Sequence, residues 1–160
     1  MGFTDKLRDI VNKITDFIPG YKGYKDKEEL RDTDKQLRDF IGVQFSIVKT
    51  SFDKWTKDAA NAGDLGILKN LGNTAKILEK ITDGIRYAPR GYAGLFDKNA
   101  VEEEELEKLH QYDLSILEQV MQLKALFDQD FSKENLANAD KIMSEIDKKL
   151  ALRSSILKPL

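Results

Sequence analysis

The sequence predicts an all-α fold, an antiparallel up-and-down helical bundle of about five helices. Three observations carry this. Apolar residues recur at steps of three and four through most of the chain, the period of a helix with one buried stripe. Charged residues make up 34% of the sequence and their signs alternate along most of it, as on solvated helix faces joined by weak i,i+4 pairs. Glycine and proline punctuate the periodic runs, and no alternating strand pattern lies between them.

The first helix is expected over residues 3–18. Phe3, Leu7, Ile10, Val11, Ile14, Phe17 and Ile18 share one stripe, and Pro19-Gly20 stops it. The second, about 26–61, is the longest. Leu30, Leu37, Ile41, Phe45, Val48, Phe52, Trp55 and Ala59 form a bundle or coiled-coil stripe that Asp34 interrupts. Gly63 suits its stop, and Asp64 suits the N-cap of the next helix. That third helix, about 65–87, carries Leu65, Leu68, Leu71, Ala75, Leu78, Ile81 and Ile85. It also contains Gly66, Gly72 and Gly84, each costing about 1 kcal/mol against alanine, so this helix is expected to be the least stable alone and to rely on close packing against its neighbours.

The fourth helix, about 100–130, opens with Asn99 and Glu102 in capping-box spacing and an acidic run that the helix dipole favours. Leu106, Leu109, Ile116, Leu117, Val120, Leu123 and Phe127 form its stripe, which Asp113 interrupts. The fifth, about 133–157, starts at Ser132. Leu136, Ala139, Met143, Ile146, Leu150, Arg153 and Leu157 mark its inner face.

Helix lengths then constrain the path. At 1.5 Å per residue the second helix spans roughly 54 Å and the third only roughly 35 Å. Packed antiparallel across a short turn, the third runs out about 20 Å early. The first helix, roughly 24 Å long, fits that gap. The sequence therefore predicts a four-column bundle over residues 1–160, one domain, with the short N-terminal helix (1–18) stacked above the third.

The 160 residues are enough for one core, and the net charge of −2 gives no reason to expect nucleic acid. The absence of cysteine excludes disulfides, thiolate catalysis and cysteine-ligated metals, and suits a reducing cytoplasm. No apolar run approaches the length of a membrane span. Asp5, Asp9 and Asp16 argue against a secretory signal, and Lys6 stands where a myristoylation site wants Ser or Thr.

Candidate chemistry is sparse. Glu107 and His110 have the Glu-x-x-His spacing of carboxylate-bridged metal bundles, but that site needs the motif twice, and His110 is the chain's one histidine. No metal or cofactor is expected. Height matching gathers Arg38, Arg86, His110 and Asp113, with Asp34 as a second carboxylate on an apolar stripe. The expectation is a structural cluster in which arginine pairs with the aspartates, since a buried carboxylate needs a partner. Arg86 is also expected to cap its own helix.

Four of the five tyrosines sit in two Gly/Pro loops, Pro19-Gly20-Tyr21-Lys22-Gly23-Tyr24 and Tyr87-Ala88-Pro89-Arg90-Gly91-Tyr92-Ala93-Gly94-Leu95-Phe96. The up-and-down path brings both toward one end. Two readings stand. The tyrosines close the open end of the core with their hydroxyls in water. Alternatively, Tyr21, Tyr24, Lys22, Arg90, Tyr92 and Phe96 form a partner surface, a composition enriched at binding hot spots. The phrase Ile18 to Tyr24, the acid/base run from Arg31 to Arg38, and the phrase Ile85 to Asp97 resemble a family of small uncharacterised bacterial helical proteins. The resemblance implies a bacterial source and assigns no activity, cofactor or site residue.

The sequence thus points to a cytoplasmic, non-enzymatic bundle that binds another macromolecule, a protein, through its aromatic and basic loop end. The alternative is a peripheral membrane protein that uses residues 1–18 as an amphipathic anchor, although its basic and acidic residues cancel there. An enzyme or ligand binder using the Arg86/Asp113 region is a third reading. Self-association through the long helices, or exchange of the first helix between copies, stays open.

Overall fold

The structure is a computed structural model. It describes residues 3–21, 23, 27–87 and 103–157, without the side chains at 3–4, 27–31, 86–87, 103–106 and 156–157. The fold is an all-α helical bundle. Its helices are α1 (Phe3–Phe17), α2 (Lys27–Asn61), α3 (Leu65–Tyr87), α4 (Glu103–Phe127) and α5 (Lys133–Leu157), and no strand occurs among the described residues.

These helices divide into two compact units. The first comprises Met1–Phe40, Pro89–Glu118 and Lys148–Leu160, and the second Ile41–Ala88 and Gln119–Asp147. The first unit takes α1 and stretches of α2, α4 and α5. The second takes α3 and the remaining stretches of the same three helices. In the first unit Ile14, Ile18, Leu37, Leu109, Ile116 and Leu117 are all buried, so Ile14 of α1 and Ile18 just after it are covered by their own molecule. Leu7, Ile10, Val11 and Phe17 are half-buried along the edge of that stripe.

The second unit is built around aromatic rings. Phe127 meets Trp55 at a centroid distance of 4.6 Å and Phe52 edge-on at 5.8 Å. The Trp55 indole Nε1 donates to the Gln129 carbonyl at 2.9 Å, which ties α2 to the turn after α4. That turn begins at Asp128, so α4 ends three residues before the expected 130. Ser132 then caps α5 by accepting from the Asn135 amide at 3.0 Å.

The α2–α3 connection is compact. The Gly63 amide donates to Ala60 O and the Asp64 amide to Ala59 O, with Gly63 at φ +74°. This is the paired pattern of a Schellman stop. Asp64 in turn accepts from the Ile67 amide at 3.1 Å and so caps α3.

One expectation for α3 is corrected. Its buried stripe is Ile67, Leu71, Thr74, Leu78, Ile81 and Ile85, while Leu65 is 79% exposed. Leu65 lies in the first turn, off the line set by Ile67 and Leu71, and so the stripe begins two residues later. Gly66, Gly72 and Gly84 lie on its exposed side, and a Cβ at Gly72 or Gly84 would meet nothing within 4 Å. Thr74 ties α3 to its neighbour by donating to Asp140 of α5 at 2.7 Å.

Candidate functional site

The described part of the first loop is rooted in a buried polar cluster of the first unit. The chain leaves α1 through Ile18-Pro19-Gly20-Tyr21. The Tyr21 amide donates to Ile18 O at 3.1 Å and Gly20 sits at φ +88°, the signature of a type II turn with proline at its second position. This turn carries Tyr21 inward. Tyr21 is only 5% exposed, and its hydroxyl donates to Asp113 Oδ2 at 3.3 Å. Its ring stands edge-on to His110 at 6.4 Å.

Gly23 is the second fixed point. It lies at φ +83°, where side chains other than glycine's are strained. A Cβ there would also stand 3.1 Å from His110 Nε2 and 3.3 Å from Val11 Cγ2. Its carbonyl accepts from the buried Thr33 hydroxyl at 2.7 Å. One turn along α2, the Gln36 amide group reaches back to Gly20 O at 3.3 Å.

Beneath the loop lie two fully buried carboxylates. Asp34 and Asp113 are each 0% exposed. Arg153, 3% exposed, serves both: Nε donates to Asp113 Oδ1 at 2.6 Å and Nη2 approaches Asp34 Oδ1 at 2.5 Å. Arg38 approaches the other Asp34 oxygen at 2.9 Å from one turn along α2. Both guanidinium contacts to Asp34 are close but lie off the N–H directions, so charge rather than aligned hydrogen bonding holds this carboxylate. Among the described residues each buried carboxylate thus meets a guanidinium, as burial of charge requires.

Of the residues expected to cluster, Arg38, Asp34 and Asp113 are joined by ion pairs, and His110 is brought in through Tyr21. The Arg86 side chain lies outside the described residues. Arg153 is the partner missing from the expected cluster. Its signal was present, because it is a charged residue on the inner stripe of α5, as Asp34 and Asp113 are on theirs. Thr33 gave no such signal. The expectation that Tyr21 is a surface anchor is corrected, since burial and the Asp113 bond place it inside. Lys22, Tyr24, Arg90, Tyr92 and Phe96 lie outside the described residues.

The Glu-x-x-His pair does not converge. Glu107 accepts from Gln111 at 3.2 Å along the exposed side of α4, while His110 is buried against Tyr21. Among the described residues no group of three His, Asp or Glu side chains is arranged to hold a metal ion. No described helix is long and apolar enough to cross a membrane. Chemically, the cluster is a clamp: charges that satisfy one another across α2, α4 and α5 and hold the root of the loop. No protein-family model matches this chain, and neither does any curated protein or solved structure.

Proposed function

We propose that this chain is a non-enzymatic helical-bundle protein of the bacterial cytoplasm. It binds another protein, as an adaptor or assembly component, through the aromatic and basic residues of its two Gly/Pro loops. One observation supports the reading above the others: the backbone on both sides of Lys22 is tied down. Gly20 is held by Gln36, Tyr21 by Asp113, and Gly23 by Thr33. A loop anchored at Gly20, Tyr21 and Gly23 loses less conformational entropy on capture than one free along its length. With Tyr21 used internally, the contact set is Lys22, Tyr24, Arg90, Tyr92 and Phe96.

The test is co-purification from native cells with the wild-type chain and with Tyr24→Ala/Tyr92→Ala. The wild type retains a stoichiometric protein that the variant loses, and the melting temperature of the variant stays close to wild type. A large fall in melting temperature would return these tyrosines to closing the core. The membrane alternative requires Ile14 and Ile18 to leave the first unit, where they are buried. Flotation of the intact chain with anionic liposomes, without a protein partner, would favour that alternative.

A further inference from the structure

α2 runs unbroken from Lys27 to Asn61, and its two sides differ in what covers them. The inner side carries Leu37, Ile41, Phe45, Val48, Phe52 and Trp55, all buried. The outer side faces water, yet it is apolar at its middle. Val43 is 58% exposed and Ile47, one turn on, is 38% exposed. Ser46 and Thr50 beside them carry no charge, and their hydroxyls are spent on their own helix. Ser46 donates to Gly42 O at 3.1 Å and Thr50 to Ser46 O at 3.2 Å. The stretch from 43 to 50 therefore presents apolar atoms to solvent with little that needs water.

Charge is sorted along the same side of the helix. Asp32 and Asp39 stand toward the N-terminus, and Lys54 and Lys57 toward the C-terminus, all exposed. Together with Gln36, Val43, Ile47 and Thr50 they follow steps of three and four, the spacing of a coiled-coil seam. Along one edge of this seam Lys35 and Asp53, also exposed, repeat the contrast with the signs exchanged. None of these charges joins an ion pair among the described residues.

We infer that the outer side of α2 pairs with the same surface of a second copy of this chain, the two helices lying antiparallel about a two-fold axis midway between Val43 and Ile47. The order of charges selects both the occupant and the direction. With the axis there, Val43 of one copy packs on Ile47 of the other. Asp39 lies at Lys54 of the second copy, Asp32 at Lys57 and Lys35 at Asp53, and two-fold symmetry makes every pairing twice. A parallel pair would instead set Asp32 on Asp32 and Lys57 on Lys57, and like charges held opposite are unfavourable. Charges flanking an apolar seam set partner and orientation in this way wherever helices pair. From Asp32 to Lys57 the seam is about 38 Å long. One helix from each copy makes a small interface, so association should be reversible and concentration-dependent. This inference is independent of the loop surface proposed above.

Sedimentation equilibrium of the full chain over a concentration series is the test. The average mass should rise from 18.3 kDa toward twice that value. Val43→Glu/Ile47→Glu should weaken association by at least about tenfold, because it sets carboxylates against each other at the centre of the seam. Lys54→Asp/Lys57→Asp leaves the seam wholly acidic and Asp32→Lys/Asp39→Lys leaves it wholly basic, so each alone should weaken association as much. Mixed in equal amounts, these two charge variants should recover a dimer, since acid then meets base at both ends. Every substituted side chain is exposed, so all three variants should keep the wild-type melting temperature within a few degrees. A monomer at every concentration, wild-type association in any of the three variants alone, or no gain on mixing the charge variants would overturn the inference.

Discussion

Arg153 bridges two buried carboxylates, so its removal weakens the pairing of both at once and leaves Asp34 to Arg38 and Asp113 to the Tyr21 hydroxyl among the partners described above. Arg153→Met should therefore destabilise the protein by about 3–5 kcal/mol, the range for breaking a buried ion pair from one side. Urea unfolding followed by circular dichroism reads this directly. Replacing the three together, Asp34→Leu/Asp113→Leu/Arg153→Met, should restore most of the loss, because no buried charge is then left waiting for a partner. Arg38 can turn to water in that variant, since its side chain is already 17% exposed. If Arg153→Met alone is as stable as wild type, the clamp does not hold the first unit. Gly23 is the other sensitive residue. Gly23→Ala places a side chain at φ +83° and within 3.1 Å of His110, so a loss of at least about 1–2 kcal/mol is expected from backbone strain alone. Tyr21→Phe should cost less, about 0.5–1.5 kcal/mol, because it removes one hydrogen bond and keeps the ring.

At the scale of the helix, two substitutions should stabilise. Gly42 and Gly72 lie inside α2 and α3, at ordinary helical φ, with nothing within 4 Å of an added Cβ. Gly42→Ala and Gly72→Ala should each raise stability by up to about 1 kcal/mol through helix propensity. Thermal melts of the single and double variants check both size and additivity. Asp64→Ala should move the other way by about 1 kcal/mol, because the Ile67 amide loses its cap. The helices were legible because their stripes and stops are local: Pro19-Gly20, Gly63-Asp64 and Ser132 all stand where the chain turns. Leu71, Leu78, Ile81 and Ile85 of α3 are buried as expected, and only its first turn differs, because Leu65, Ile67 and Leu68 are all apolar and packing alone separates the exposed Leu65 from the buried Ile67. The candidate site was half legible. Asp34 and Asp113 announced themselves as acids on apolar stripes. Arg153 announced itself in the same way on α5, but not as their partner, because Asp113 and Arg153 are 40 residues apart and only the fold brings them together.

At the scale of the molecule, α2, α4 and α5 each lend residues to both units. Melting one unit removes turns from helices that the other unit also needs, so the chain should unfold in one step. Trp55 is the single tryptophan and is buried in the second unit, which makes its fluorescence a reporter for that unit alone. Gly23→Ala, in the first unit, should shift the Trp55 transition and the far-ultraviolet transition by the same amount. Two separated midpoints would mean that the units melt independently.

The interleaving of the chain has a practical corollary. The first unit is assembled from three separate stretches and the second from two, so no single cut in the polypeptide yields either of them whole. Deletion mapping would remove stretches of one unit while mutilating the other, and a lost activity could not be assigned to either. Dissection of this protein has to proceed by side-chain replacement in the uncut chain.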